Sequence, residues 1–152
     1  MHLLILGANS DVAWAAAKRF AQTANANIVL ASRDMALLEK KARDLEARYG
    51  TSAQAVAFDA LDMDSHNAFY RGLTSKPDGV ILAFGQFGNQ QEAQRDFHTA
   101  RAMIDANFTG AVSILEIIAS DFEQRGSGFI AAISSVAGDR GRQSNYMYGA
   151  AK

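Results

Sequence analysis

Short apolar runs alternate with longer amphipathic runs along this chain of 152 residues, and no other feature limits the fold as strongly. Short apolar runs are typical of strands in a parallel sheet that is buried on both faces, because each βα connection places a helix against the sheet. The predicted strands cover residues 2–6, 27–31, 53–58, 79–83 and 128–134. The predicted helices cover residues 11–23, 34–49, 64–73 and 97–125, with a loop over 136–145 and a last helix from about Tyr146. The alternation therefore predicts an α/β fold.

The composition narrows the class of protein. Hydrophobic residues make up 49% of the chain and proline occurs once, which predicts a single compact domain over residues 1–152. The 15 basic and 16 acidic side chains nearly balance, so we expect a small-molecule ligand and no nucleic-acid partner. The absence of cysteine excludes zinc-thiolate sites, and no metal site is predicted. The longest late apolar stretch, residues 111–119, is too short for a membrane span, which favours a soluble, cytoplasmic protein.

The turn after the first strand is a candidate phosphate site. It reads Gly7-Ala8-Asn9-Ser10-Asp11-Val12-Ala13. Small residues there let backbone N–H groups approach a phosphate, and the helix N-terminus adds partial positive charge. The three-glycine dinucleotide fingerprint is absent, since only Gly7 is glycine, so a plain turn capped by Ser10 or Asp11 is the alternative. We favour Asp11 as the cap, because its carboxylate would be unfavourable beside a phosphate.

The second strand ends at Ser32, Arg33 and Asp34, where a dinucleotide fold recognises the adenosine ribose. An arginine at this tip can pair with a 2′-phosphate through two hydrogen bonds, which favours NADP(H), with NAD(H) as the alternative cofactor. A solvated Arg33 at the start of a helix, with or without a pair to Asp34, is the structural alternative.

A third group of residues lies near the end of the chain, where Ser134 and Ser135 are followed by Tyr148-Gly149-Ala150-Ala151-Lys152. A tyrosine and a lysine four positions apart share one face of a helix. A nearby cation favours the ionised form of a phenol, which suits it to exchange a proton with a substrate oxygen. A serine hydroxyl just past a strand could hold the same oxygen. This combination predicts carbonyl reduction.

These residues resemble the short-chain dehydrogenase/reductase family. The family's YxxxK motif matches Tyr148 and Lys152, and its serine precedes the tyrosine by about the thirteen positions that separate Ser135 from Tyr148. The resemblance covers the whole chain and implies a Rossmann-type doubly wound parallel sheet with strand order 3-2-1-4-5. It also implies that NADPH supplies hydride, Ser135 positions the carbonyl, Tyr148 donates the proton, and Lys152 tunes Tyr148 and binds the nicotinamide ribose.

The resemblance assigns further roles along the chain. Asn107 corresponds to the asparagine that helps to hold a proton-relay water, and Asp59 to the acid that contacts the adenine amino group. Gly7 and Arg33 take the pyrophosphate and 2′-phosphate positions. The implied cofactor-binding residues as a whole are Gly7, Asn9, Ser10, Asp11, Val12, Arg33, Asp59, Ala83, Gly85, Tyr148 and Lys152.

Two segments, residues 83–88 and 138–145, are similar to the subgroup that includes the decaprenylphosphoryl-keto-ribose reductases. These enzymes reduce a keto-pentose that is attached to a lipid phosphate. Arg140 and Arg142 would suit an anionic substrate group, and two solvated loop arginines are the alternative.

The resemblance also bears on the extent and assembly of the protein. The family continues past its lysine with the rest of that helix and two further strands, so we expect a domain truncated in its last helix. A homodimer or homotetramer is expected for the intact parent. The non-standard glycine turn and the missing strands leave a second function open, a catalytically silent NAD(P)-binding sensor or interaction module.

Overall fold

The computed structural model describes residues 1–152 and contains one parallel sheet of five strands, ordered β3-β2-β1-β4-β5. The strands are β1 (His2–Leu6), β2 (Asn27–Ser32), β3 (Ala53–Ala57), β4 (Gly79–Leu82) and β5 (Phe129–Ala132). The predicted doubly wound α/β fold and its strand order are confirmed. Because all strands run parallel, their carboxyl ends meet at one edge of the sheet.

Eight helices connect or flank the strands: α1 (Asp11–Ala24), α2 (Met35–Tyr49), α3 (His66–Arg71), α4 (Gln90–Arg95), α5 (Phe97–Ile104), α6 (Gly110–Arg125), α7 (Val136–Asp139) and α8 (Tyr146–Ala151). A 3-10 turn, Met63–Ser65, precedes α3, and a π-helical segment, Asp105–Thr109, joins α5 to α6.

The central strand β1 is buried on both faces, which explains its uninterrupted apolar sequence. Leu3 and Ile5 pack in one cluster with buried residues of α1 and α2. Leu4 and Leu6 pack in a second cluster, which includes Ile114 of α6. These four of the five β1 side chains are fully buried. Successive residues of a strand point to opposite faces, so β1 divides the core into two layers.

The first helix begins differently from our prediction. Ser10 is the N-cap of α1, and its Oγ accepts a hydrogen bond from the Ala13 N–H at 3.2 Å. Asp11 is the first helical residue and is exposed, so the prediction of Asp11 as cap is wrong. A serine oxygen one residue earlier reaches the free N–H of the first turn, and Asp11 still places negative charge at the positive end of the helix.

Two short helices and one irregular segment were absent from the sequence prediction. Helix α4 begins after Asn89, whose Oδ1 accepts from the N–H groups of Gln91 and Glu92, and glutamines give it no continuous apolar stripe. Helix α7 lies in the segment predicted as loop, because Ser135 caps a turn that contains Gly138. The helix predicted over 97–125 is interrupted by the π-helical segment.

The long helical stretch from Phe97 to Arg125 spans 29 residues and is apolar enough to cross a membrane by length and composition alone. A core helix of a soluble protein passes the same test, and α6 packs against the sheet through Ile114, Ile118 and Phe122. The helix therefore does not establish a membrane span.

Candidate functional site

A cleft opens at the carboxyl edge of the sheet, where β1 and β4 lie side by side. The following residues line it: Gly7, Asn9, Ser10, Ser32, Arg33, Phe58, Asp59, Ala60, Leu61, Ala83, Phe84, Gly85, Gln86 and Ala106. Seven of the predicted cofactor-binding residues are among them. Asp11 and Val12 are not in the lining, and neither are Tyr148 and Lys152.

The turn after β1 presents unpaired amide groups. The N–H groups of Gly7 and Ala8 bond to the Ala31 carbonyl, and the Ser10 N–H bonds to the Gly7 carbonyl. No acceptor within the chain takes the N–H groups of Asn9 in the turn or of Asp11 and Val12, the first two residues of α1. Free amides at a helix N-terminus bind anions. The turn can therefore hold a phosphate although it has only one glycine.

Gly7 has a packing reason to be glycine. Its φ is +81°, in the left-handed region that favours glycine, and a Cβ here would lie 2.5 Å from the Phe84 nitrogen. The turn thus lies close against the segment that follows β4. This close approach brings the candidate phosphate site next to Ala83 and Gly85.

Arg33 and Asn9 form the β2 side of the cleft. Arg33 is exposed and makes no ion pair within the chain, and the Asp34 Oδ1 accepts instead from the Leu37 N–H and caps α2. The alternative of an Arg33–Asp34 pair is therefore not found. Asn9 donates through Nδ2 to the Ser32 Oγ at 3.3 Å and the Asp34 carbonyl at 3.2 Å. Its Oδ1 is buried without a partner, which leaves an acceptor for a ligand donor.

Asp59 lies at the opposite wall, just past β3. Its Oδ1 accepts from the Leu61 N–H at 3.0 Å. Its carbonyl contacts the Nε2 of His66 at 3.0 Å, and the Nδ1 of this fully buried histidine contacts the Ser113 Oγ at 2.9 Å. Because a carbonyl only accepts, Nε2 must donate and Nδ1 accept from Ser113. The backbone of Asp59 is thus fixed by His66 of α3, which is itself held by Ser113 of α6.

Lys152 and Asn107 meet at the far end of the cleft, around Gly85. A Cβ on Gly85 would lie 2.6 Å from the Asn107 Oδ1 and 3.1 Å from the Lys152 Nζ. The ammonium donates to the carbonyls of Ile133 at 3.0 Å and Phe84 at 3.3 Å, and burial lowers the pKa of Lys152. Lys152 and Asn107 therefore adjoin the cleft without lining it.

The side chain of Asn107 holds the loop after β4. Its Nδ2 donates to the carbonyls of Gln86 and Met103 at 2.8 and 2.7 Å, and its Oδ1 accepts from the Gln86 N–H at 3.1 Å. Asn107 lies in the π-helical segment, a type of local irregularity that is frequent at functional sites. Both side-chain donors are thus used within the chain.

Tyr148 and Ser135 each keep a hydroxyl proton that no acceptor in the chain takes. The ring of Tyr148 packs against Phe87 with a centroid distance of 4.9 Å, and no hydrogen bond joins it to Lys152 or Ser135. The Ser135 Oγ accepts from the Ala137 N–H at 3.2 Å. Both hydroxyls therefore remain available to a substrate oxygen.

Two residues of the site were not identified from the sequence. Lys41 of α2 contacts the turn after β1, and Phe87 covers the ring of Tyr148. A lysine within an amphipathic helix gives no signal that separates it from solvated lysines. Phe87 gives no sequence signal either, because the 60% exposure of this large apolar side chain is a property of the folded chain.

Comparison with known proteins agrees with this geometry. The family model described as short chain dehydrogenase matches residues 1–152. The chain belongs to the short-chain dehydrogenase family. Among curated relatives of this dehydrogenase chain, an uncharacterized oxidoreductase of Mycobacterium tuberculosis is 35% identical over 153 residues, and one of Streptomyces coelicolor is 34% identical over 152 residues. The chain spans 61% and 60% of their lengths, while 99% of the chain is covered in each case.

Solved structures give the same result. A short-chain dehydrogenase from Sphingobium yanoikuyae in complex with NADPH is 27% identical with a TM-score of 0.85, and the match covers 99% of this dehydrogenase chain and 59% of that one. The actinorhodin polyketide ketoreductase with NADPH has a TM-score of 0.88 over 99% and 59% of the two chains. At 20% identity, the ketoreductase supports the fold alone.

Proposed function

We propose that this dehydrogenase domain, residues 1–152, belongs to an NADP(H)-dependent oxidoreductase that reduces a carbonyl group to an alcohol. The observation that carries the proposal is the junction at Gly85, where the end of the cleft adjoins Lys152 and Asn107. The Tyr148 and Ser135 hydroxyls keep their protons free near the same carboxyl edge of the sheet. A nucleotide site next to two proton-donating groups supports hydride transfer to a carbonyl carbon.

The cleft residues fit a dinucleotide. The free N–H groups of Asn9, Asp11 and Val12 would hold the pyrophosphate, and Arg33 would pair with the 2′-phosphate. Asp59 would accept from the adenine amino group through the carboxylate oxygen that makes no bond in the chain. Arg33 favours NADP(H) over NAD(H). When bound, NADPH supplies the hydride that the carbonyl carbon accepts.

The catalytic residues take separate roles in this scheme. Ser135 holds the carbonyl oxygen with its hydroxyl proton, and Tyr148 gives its proton to that oxygen as charge develops. Lys152 places a cation behind the loop after β4 and binds the nicotinamide ribose, and its lowered pKa eases the return of a proton from solvent. Asn107 acts through Gln86, because its donors hold that loop in place, and in this scheme its position supports the relay water.

For the substrate, we propose a keto sugar that carries an anionic group, as in the decaprenylphosphoryl-keto-ribose reductases. Arg140 and Arg142 support this proposal, since both are exposed in the segment before Tyr148 and neither makes an ion pair in the chain. Their guanidinium groups could pair with a phosphate.

The predicted homo-oligomer stays a prediction and has one supporting feature. Four large apolar side chains are exposed along the stretch from α5 to α6: Phe97, Ile104, Phe108 and Val112. An unpartnered apolar stripe of this kind marks interaction surfaces. The proposed cytoplasmic location likewise stays a prediction.

A silent nucleotide-binding module is the second candidate. It is favoured by one observation, the turn after β1, where Asp11 and Ala13 stand in place of glycines and Asp11 is exposed at the phosphate site. Such a protein would bind NADPH without turning over any carbonyl compound.

One experiment distinguishes the carbonyl reductase from the silent nucleotide-binding module. NADPH binding is followed by nicotinamide fluorescence, and NADPH oxidation is followed by absorbance with a panel of ketones and keto sugars. We expect Tyr148→Phe to lower turnover by about 100-fold or more while the protein still binds NADPH. Tyr146→Phe, an exposed tyrosine at the start of α8, is the matched control and should behave as wild type. Undiminished turnover in Tyr148→Phe would overturn the assignment, and binding without turnover in the wild type would favour the silent module.

A further inference from the structure

Lys41 ties helix α2 to the turn after β1. Its Nζ donates to the carbonyls of Ala8 and Asn9, each at 3.1 Å. The ammonium also lies 5.3 Å from the centre of the Trp14 ring. No other side chain outside the turn bonds to its backbone. Lys41 is therefore the one cationic side chain that bonds to the backbone of the candidate phosphate site, and it does so from α2.

The two hydrogen bonds determine which way the turn amides point. In a trans peptide, the C=O and N–H groups point in opposite directions. Because the Ala8 carbonyl points at Lys41 on α2, the N–H of the same peptide, which belongs to Asn9, points away from α2. This N–H is one of the three amides without an acceptor in the chain. Lys41 thus orients a phosphate-binding donor.

The charge of Lys41 is placed where an anion would benefit from it. Burial lowers the pKa of Lys41, and the neighbouring Asp11 carboxylate raises it and so favours the charged form. An ammonium close to a partly buried site is screened less than one in solvent. It also offsets the carboxylate of Asp11, which would otherwise repel a phosphate at this turn.

We propose that Lys41 is a positioning residue for the diphosphate of the cofactor, which it serves by holding the Ala8–Asn9 peptide and by balancing Asp11. A turn with several glycines can adapt its backbone to a bound phosphate. This turn has a single glycine, and in our proposal the hydrogen bonds from Lys41 hold its backbone in the binding conformation. The inference rests on the proposed dinucleotide binding. It goes further by assigning diphosphate recognition to a residue outside the turn.

The test compares ligands with and without a diphosphate. NADPH and NADH carry one, whereas adenosine 2′-monophosphate has the adenine, the ribose and the 2′-phosphate but no diphosphate. We expect Lys41→Met to raise the Kd values of NADPH and NADH by the same factor, about tenfold, and to leave that of adenosine 2′-monophosphate within twofold. Lys41→Arg, which keeps the charge and the donors, should recover most of the affinity.

Lys18→Met is the matched control, because Lys18 also lies over Trp14, at 5.6 Å, but does not contact the turn. It should leave all three Kd values unchanged. Circular dichroism checks that each variant is folded, and if Lys41→Met is unfolded, Lys41→Gln takes its place. The role of Lys41 would be overturned if Lys41→Met raised the Kd values of all three ligands equally. It would also be overturned if the wild type bound NADPH and Lys41→Met bound it with the same Kd. If the wild type binds neither dinucleotide, the proposed function fails as well.

Discussion

Arg33 is the residue on which cofactor choice depends in this account. It lies in the cleft lining, is exposed, and makes no ion pair within the chain. A guanidinium that pairs with a 2′-phosphate contributes only to NADPH, because NADH has a hydroxyl group there. We expect Arg33→Ala to raise the Kd for NADPH about tenfold or more while the Kd for NADH changes by less than twofold.

The measurement is a fluorescence titration of both cofactors. Arg43→Ala, an exposed arginine of α2 outside the cleft, serves as control and should leave both affinities unchanged. Equal affinities for NADPH and NADH in the wild type, unaffected by Arg33→Ala, would show that Arg33 does not select the cofactor.

At the residue scale, the sequence identified side chains whose type and spacing carry chemistry. Tyr148 and Lys152 could be proposed as site residues because four positions correspond to one helical turn, and Arg33 because it follows a strand. Lys41 could not be found, because its role depends on how α2 packs against β1. Asp11 was misassigned as the cap because serine and aspartate both suit that position.

At the scale of elements, a hydrogen-bonded cluster joins α3 to α6 behind the sheet. The Tyr70 hydroxyl donates to the Asp121 Oδ2 at 2.7 Å, and the Arg125 Nε contacts the same oxygen at 2.8 Å. Arg125 also donates to the Pro77 carbonyl at 2.8 Å. Burial of Asp121 acts to raise its pKa, but the hydrogen bonds from Tyr70 and Arg125 outweigh this, so the pKa lies below its ordinary value.

This cluster predicts a stability effect that depends on pH. A carboxyl group with a lowered pKa in the folded state stabilises the fold above its ordinary pKa, near 4, and that stabilisation is lost as the pH falls through the folded-state value. Tyr70→Phe removes one donor to Asp121. We expect it to lower the free energy of unfolding by about 1–2 kcal/mol at pH 7, and by clearly less at pH 3.

Urea denaturation at the two pH values checks this prediction. Tyr49→Phe is the control, because Tyr49 is a partly buried tyrosine of α2 without a side-chain hydrogen bond. It should change the free energy of unfolding by the same small amount at pH 7 and pH 3. A Tyr70→Phe deficit of the same size at pH 7 and pH 3 would mean that the Asp121 charge plays no part in it.

The strands and the longer helices could be predicted because burial on two faces or on one stripe leaves a periodic apolar pattern. The π-helical segment could not, since it depends on the Asn107 side chain, which contacts Gln86 on another part of the chain. Helix α4 was missed because its buried residues, Gln90 and Ala93, do not form an apolar pattern. Its position depends instead on the Gln90 Oε1, which accepts from the Met147 N–H of α8.

At the scale of the whole molecule, parallel βαβ connections join the strands in the order β3-β2-β1-β4-β5. The family resemblance predicts the same order. The sheet brings Gly7, Arg33 and Asp59 to one cleft although they lie far apart in the chain. All four residues of β5 are exposed, and this strand pairs with β4 alone. The cleft therefore depends on the order of the strands, and the proposed catalytic residue Ser135 follows the least covered strand.

Transfer of deuterium from NADPH that carries deuterium in place of both hydrogens at C4 of the nicotinamide tests the central claim most directly. The protein is incubated with the labelled cofactor and a panel of ketones and keto sugars, and the alcohols are analysed by mass spectrometry. The account predicts one deuterium on the carbinol carbon of at least one product, and none above background with Tyr148→Phe. Labelled NADPH that binds but delivers no deuterium to any carbonyl compound would contradict it.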